Sequence, residues 1–377
     1  MILGIDAFNL RAGGGLTHLV ELLRAAEPNV HGFERVIIWS NKATLEKIDE
    51  RDWLQKIHEP LLDRNLLYRI FWQRFRLKKL AIKAGCDILF VPGGSDASGF
   101  KPVVTMSRNL LPFEWKEMRR FGWTLYTLKF LILRWTQSNS INNADGVIFL
   151  TNYAHNTISK VIGKQIDIST IIPHGIHPRF TIQPRPQRLF VDFKEDQPCR
   201  ILYVSSIDMY KHQWKVAEAI ALLRSKGIQI VLELIGPPAK GFKKLKEVMN
   251  RVDPKGVFIT YQGAVPYEKL SEFYGNSDIG VFASSCENMP NTLLEGMAAG
   301  LPMACSSLGP MPEILGTAGI YFDPENSEDI SRALLELICS CEMRTQLAHA
   351  AFDKAKEYSW QKCANETFDF LAEIAHQ

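Results

Sequence analysis

The chain has 377 residues, 46% hydrophobic and 23% charged, enough for two ordinary globular domains with sizeable cores. A balance of 44 basic against 41 acidic residues gives a net charge of +3, too slight to argue for a nucleic-acid partner. The 7 cysteines, odd in number and without Cys-x-x-Cys spacing, argue against a disulfide framework or a zinc site and for free thiols in a reducing compartment.

The opening run MILGIDAFNL reads as a buried strand, with neither a basic leader nor a small-residue cleavage site, so the expected location is cytoplasmic. Apolar β-branched runs then alternate with segments of helical period, the pattern of a parallel sheet covered by helices. In the first half, strands are expected at Ile2–Asp6, Arg35–Trp39, Asp87–Val91, Val103–Met106, Gly146–Leu150 and Ile168–Ile172. Helices are expected at Leu16–Ala26, Leu66–Ala84, Lys116–Ser138 and Thr151–Val161, with Thr151 as N-cap of the last. The most apolar stretch, Leu125–Leu133, is interrupted by Lys129 and falls short of the roughly 20 residues a spanning helix needs.

A proline-rich stretch from Pro173 to Pro198 marks a linker, after which the alternation restarts. Strands are expected at Arg200–Ser205, Gln229–Ile235, Val257–Tyr261, Asp278–Ala283 and Pro302–Cys305. Helices are expected near Trp214–Lys226, Lys240–Val252, Tyr267–Asn276 and Thr292–Ala299. Three more helical segments follow. The expected organisation is α/β: two Rossmann-like domains, 1–180 and 181–358, with parallel sheets facing across a cleft. A C-terminal helix, 359–377, crosses back to the first domain. Ligands of such sheets bind beyond the carboxyl ends of the strands.

The segment Ser284–Pro302, SSCENMPNTLLEGMAAGLP, carries the chemistry. Glu287 falls in a strand-to-helix loop and Glu295 about one turn inside the helix, with Asn291 as the expected N-cap. Free amides at a helix N-terminus favour an anion such as a diphosphate. Carboxylates nearby would repel phosphate and suit hydroxyls instead. An acceptor group on each side of a diphosphate site matches the layout of a nucleotide sugar.

The Glu-x7-Glu pair, the run LLEGMAAGLP, PMPEI (Pro310–Ile314), IYFDP (Ile320–Pro324) and the final Trp360 together resemble the family 4 retaining glycosyltransferases. Their architecture is GT-B. The resemblance covers nearly all of the second half and, more weakly, the first. It implies that Glu287 contacts donor-sugar hydroxyls and Glu295 the nucleotide ribose. Pro290 stands where many members have a phosphate-binding glycine, which leaves Met289, Asn291 and Thr292 to supply amides. Lys211, in YVSSIDMYKHQ (Tyr203–Gln213), matches the lysine that neutralises the leaving diphosphate. Ser205 and Ser206 replace the usual arginine, so Arg108 or Lys215 is expected to assist. YQGAVP (Tyr261–Pro266) resembles the loop whose backbone receives the base, with Val265 a candidate.

In the first domain AGGGLTH (Ala12–His18) fails the Gly-x-Gly-x-x-Gly fingerprint, which argues against a nicotinamide enzyme. The resemblance has this loop, with Gly14 and Gly15, face the donor's phosphates and the acceptor. Arg108-Asn109 stands where many members carry His-Asp, and Arg cannot serve as a titrating base. No Asp-x-Asp occurs, so no metal and no cofactor is expected beyond the nucleotide-diphosphate sugar itself. The family implies retention of configuration, by front-face attack on an oxocarbenium-like centre.

Residues 64–86 carry seven basic residues and no acidic one, interleaved with Tyr68, Phe71, Trp72 and Phe75. At helical spacing Arg69, Arg76, Lys79 and Lys83 share a face. Leu66, Ile70, Leu77 and Ala81 form one apolar strip; Phe71, Phe75 and Ile82 form another. Such a helix, joined by 116–136 with Arg119, Arg120, Phe121 and Trp123, suits an anionic membrane surface. The alternative is a helix buried on two sides with a solvated basic edge. The expected function is transfer of a hexose-type sugar to a saccharide acceptor, lipid-linked, in cell-surface polysaccharide assembly, with no nucleic acid involved. The alternatives are a GT-B nucleotide-sugar epimerase or hydrolase, and a non-catalytic partner of the same fold.

Overall fold

A computed structural model describes residues 1–377. They divide into two units. The first comprises Met1–Met118, Gly122–Gly175 and Tyr358–Gln377, and the second Arg119–Phe121 and Ile176–Glu357.

The inner strands of the first unit are short, mostly apolar runs buried on both faces, as parallel strands sandwiched by helices must be, and the two edge strands are only partly buried. The strands are β1 (Ile2–Asp6), β2 (Arg35–Ser40), β3 (Leu54–His58), β4 (Ile88–Val91), β5 (Val103–Met106), β6 (Gly146–Phe149) and β7 (Ser169–Ile171). All pair in parallel, in the order β3-β2-β1-β4-β5-β6-β7, with Leu3 between Val36 and Ile88 in register. Strand β3 has no counterpart among the expected strands. It is an edge strand whose sequence LQKIH is only partly buried and lacks the apolar run of its neighbours.

Three expected helices differ in detail. The helix Gly13–Ala25 begins three residues early, taking in the glycines as its first turn. The helix from Leu66 runs to Lys83 through a π-helical turn at Gln73–Leu77. The expected helix Lys116–Ser138 is broken: Trp115–Met118, a 3-10 turn at Arg119–Phe121, then Leu125–Asn143. Gly122, with φ of 65°, allows the left-handed turn that separates them. The helix Trp360–His376 packs on Gly13–Ala25 within the first unit. A Cβ at Gly175 would lie 2.2 Å from the Trp360 backbone nitrogen, so only glycine lets these two segments cross.

The second unit repeats the plan with β8 (Cys199–Val204), β9 (Ile230–Ile235), β10 (Ile259–Gly263), β11 (Ile279–Phe282), β12 (Met303–Ser306) and β13 (Gly319–Phe322). The order is β10-β9-β8-β11-β12-β13, again all parallel. Edge strand β13 lies in the IYFDP motif but is not among the expected strands. The helix expected at Tyr267–Asn276 opens as a 3-10 turn, Tyr267–Lys269, before Leu270–Gly275.

In each sheet the order reverses direction once, between β1 and β4 and between β8 and β11. Loops leaving adjacent strands there diverge and open a crevice at the carboxyl ends. No helix is long and apolar enough to cross a membrane.

Candidate active site

The reversal point of the second unit brings together Lys211, after β8, and Glu287, after β11. The Lys211 ammonium donates to the Glu287 carboxylate, and both side chains are about nine-tenths buried. The lysine also sits 5.2 Å from the Tyr210 ring centroid and 5.3 Å from that of Phe282. The ends of β8 and β11 hold this pair in place. The Tyr203 hydroxyl donates to the Lys211 carbonyl at 2.6 Å, and the Ser285 amide donates to the Tyr210 carbonyl at 2.8 Å. His212, in the left-handed region with φ of 48°, turns the chain into the helix Gln213–Ser225 and meets the Ser285 hydroxyl at 2.9 Å. Burial, and then the Glu287 charge, push the Tyr203 and Tyr210 hydroxyls well above the usual tyrosine range, so both remain protonated donors.

The helix Asn291–Ala298 starts four residues after Glu287. Pro290, not Asn291, is its N-cap. The Asn291 side-chain oxygen is buried without a partner, a correction to the expected cap. The reason is geometric: proline's fixed φ brings the chain into the helix, and the Pro290 carbonyl already receives the Leu293 amide at 3.1 Å. The Asn291 and Thr292 amides head the helix, where no intrahelical carbonyl can receive them. Met289 is buried beside them.

Glu295 is 4% exposed and held by two tyrosines: Tyr267 donates to one oxygen at 3.2 Å, Tyr274 to the other at 3.1 Å. Burial lifts its pKa to about 7, against the pull of these hydrogen bonds and of Arg179. Phe180 packs edge-on against both tyrosine rings. Neither tyrosine was singled out in the sequence, although their spacing of seven residues is two helical turns and puts both on one face. Ser206 lies at the start of the loop after β8, its carbonyl accepting from Gln213 at 2.9 Å. Val265 is half-buried in the loop after β10, beside Gly263, whose missing Cβ faces open space. Gly236, at the end of β9, was also missed. Any Cβ there would lie 2.0 Å from the Ser205 carbonyl oxygen.

The remaining candidates belong to the first unit. Arg108 donates to the Gly14 carbonyl at 2.6 Å and the Gly15 carbonyl at 3.3 Å, which ties the first turn of Gly13–Ala25 to the end of β5. It has no carboxylate partner, and burial lowers its pKa to about 10. The Asn109 side-chain oxygen accepts the Leu111 amide at 3.2 Å and so closes a local turn. His18 and His174 lie with ring centroids 4.9 Å apart and planes tilted by 56°, both kept well below the usual histidine range first by burial and then by the Arg108 charge.

The expected basic face of the Leu66–Lys83 helix does not hold as one surface. Arg69 turns inward and donates to Asn9 at 2.7 Å. Of the apolar strips, Leu77 and Ala81 are buried with Trp72, while Leu66, Ile70, Phe71, Phe75 and Ile82 are exposed. The π turn rotates Gln73 inward, where it donates to Asp6 at 2.6 Å. Arg120 likewise leaves the expected face: it pairs through both terminal nitrogens with Glu325, at 2.6 and 3.0 Å.

The paired lysine and glutamate at a sheet reversal, with a second carboxylate one turn inside the following helix, are the arrangement expected of a nucleotide-sugar site. The description "Glycosyl transferases group 1" matches residues 186–354 and "Glycosyltransferase Family 4" matches residues 12–180. The chain belongs to the family 4 glycosyltransferases and has the GT-B fold. It is 31% identical over 170 residues to O-antigen chain mannosyltransferase B of Escherichia coli, a match spanning 45% of this chain and 44% of that protein. The chain thus spans less than half the length of that relative. In structure it is similar to sucrose-phosphate synthase from Thermosynechococcus elongatus, with a TM-score of 0.76, 15% identity and 97% of each chain covered. It is also similar to Anabaena HepE in complex with UDP and glucose: TM-score 0.72, 14% identity, 99% of this chain and 100% of that one.

Proposed function

We propose that the protein transfers a hexose-type sugar, with retention, from a nucleotide-diphosphate sugar to a saccharide acceptor in cell-surface polysaccharide assembly. The observation that carries this reading is the buried Lys211–Glu287 pair at the reversal point of the second sheet. A lysine neutralised by a carboxylate is a cation ready to exchange partners. When a diphosphate enters over the Asn291 and Thr292 amides, Lys211 turns to it and releases Glu287 to accept from the sugar hydroxyls. Glu295 accepts from the ribose. As the bond from sugar to phosphate breaks, negative charge grows on the diphosphate, where the lysine and the helix N-terminus stabilise it most. The proton of the acceptor hydroxyl passes to that same phosphate, so no base of the chain and no metal is called on. The O-antigen relative and the UDP and glucose of HepE support a sugar nucleotide and a polysaccharide product.

Exposed side chains extend the proposal to the acceptor. Trp123 is 94% exposed, Leu125 82%, Leu67 77% and Trp135 71%, all within the first unit and interspersed with lysines and arginines. Aromatic and aliphatic groups among cations suit the surface of an anionic bilayer, where a lipid-linked acceptor would lie. Incubation with a panel of sugar nucleotides tests the reaction. Nucleotide release that requires a saccharide acceptor is expected, whereas release without one, or no binding at all, would overturn it. Sedimentation with phosphatidylglycerol vesicles at low salt tests the surface; a protein that stays in solution removes the membrane part.

A further inference from the structure

We propose that Arg11 and Arg69, at the carboxyl end of β1, form a binding site for a phosphate group carried by the acceptor. The inference rests on the transferase reading above and adds a ligand group to the first unit.

The place is the reversal point of the first sheet, between β1 and β4, the topological counterpart of the Lys211–Glu287 position in the second. The loop leaving β1 carries Asn9 and Arg11, and the helix beginning at Leu66 brings Arg69 against it. One terminal nitrogen of Arg69 donates to Asn9 at 2.7 Å, while its Nε is buried with no partner. Neither arginine belongs to any ion pair. The carboxylate that Arg11 influences, Asp63, is already engaged by His58 at 2.6 Å and by the Lys42 amide at 3.2 Å. Burial, followed by the like charge of Arg11, pushes Arg69 below the usual arginine range. Two guanidinium groups near one another, one partly desolvated and with a donor unfilled, form an arrangement that an anion completes.

The guanidinium fork selects the class of anion: planar paired donors match phosphate oxygens. The donor's diphosphate has its own cation, Lys211, in the second unit, which leaves the acceptor as the source for this one. On the same helix Leu67, Ile70 and Phe71 are exposed beside Arg69, so an alkyl chain attached to the phosphate would find apolar contact.

The test uses the full chain and titrates decyl phosphate below its micelle concentration, inorganic phosphate and UDP, by calorimetry at about 0.15 M salt. Arg69→Gln and Arg11→Gln are each expected to weaken decyl phosphate by about tenfold or more, while Arg74→Gln, exposed on the same helix, leaves it unchanged. Because Arg11 is exposed, Arg11→Gln decides the matter should Arg69→Gln fold poorly. Equal weakening in all three variants, or in none, overturns the site. Decyl phosphate binding more tightly than inorganic phosphate assigns it to a lipid-linked acceptor, and equal affinities assign it to a soluble phosphorylated one. UDP binding should be the same in all variants; its absence from the unmodified protein would sink the transferase reading while leaving the arginine result to stand alone.

Discussion

The two sheets share one strand order, yet their reversal points are charged in opposite ways. In the second unit a cation and a carboxylate are buried against each other, Lys211 on Glu287, with a second carboxylate, Glu295, pinned by tyrosines. In the first unit Arg69 meets the Asn9 amide oxygen and Arg11 stands beside it, neither in an ion pair, while Arg108, at the end of β5, is held by two carbonyls. A neutralised pair is stable when empty and can switch partners when a ligand arrives. An unneutralised cluster is tolerable only near water and improves when an anion fills it. The same backbone plan therefore presents one site that exchanges charges and another that lacks one.

The largest expected effect comes from breaking the pair. Lys211→Ala leaves Glu287 buried without its partner and should cost about 3–5 kcal/mol of stability, measured by urea unfolding. Transfer should fall by roughly two to three orders of magnitude, as when a transition-state charge donor is removed. Replacing both partners, Lys211→Met with Glu287→Leu, should restore most of the stability and none of the activity. A single lysine variant that folds normally and turns over at a near-normal rate would break the comparison at its stronger end.

The second unit was far more legible than the first, for a physical reason. A strand-to-helix turn has a recognisable local sequence, so Glu287 and Glu295 could be placed on it, while Lys211 was legible only through its match to the family's lysine. The tyrosines around Glu295 reach it from another helical segment; their spacing puts them on one face but does not say which side chain that face meets. The faces of the Leu66–Lys83 helix were misassigned because the wheel assumed 3.6 residues per turn. The π turn at Gln73–Leu77 inserts an extra residue and rotates the first half against the second. Arg69 thereby leaves the basic face, and Gln73 turns inward to Asp6. The edge strands β3 and β13 were overlooked because one buried face gives less apolar signal than two.

An effect of middle size is expected at Glu295. Its carboxyl titrates near pH 7 because it is buried, and only the ionised form accepts two ribose donors. The folded-state pKa is raised, so the proton is bound as pH falls through about 7 and ligand must then displace it. UDP affinity should fall several-fold between pH 8 and pH 6, by about 1 kcal/mol. Glu295→Gln, uncharged throughout, should bind more weakly at pH 8 and lose most of that pH dependence. A wild-type affinity that is flat over this range would mean that ribose recognition does not depend on this carboxylate.

The smallest effect is expected in the unpaired cluster, and its smallness is the point. Arg69→Gln removes a partly desolvated charge that repels Arg11 and gives up one hydrogen bond to Asn9. The lost hydrogen bond is worth about 1 kcal/mol and the relieved repulsion, screened by solvent, less than that, so stability should fall by no more than about 1 kcal/mol. The contrast with Lys211→Ala follows directly, because removing a charge is costly where another charge depends on it and nearly free where none does. Urea unfolding of the two variants under one condition measures the difference. Should Arg69→Gln cost more than about 2 kcal/mol, Arg69 is a strut between the helix and the β1 loop, and the two reversal points differ less than their charges suggest.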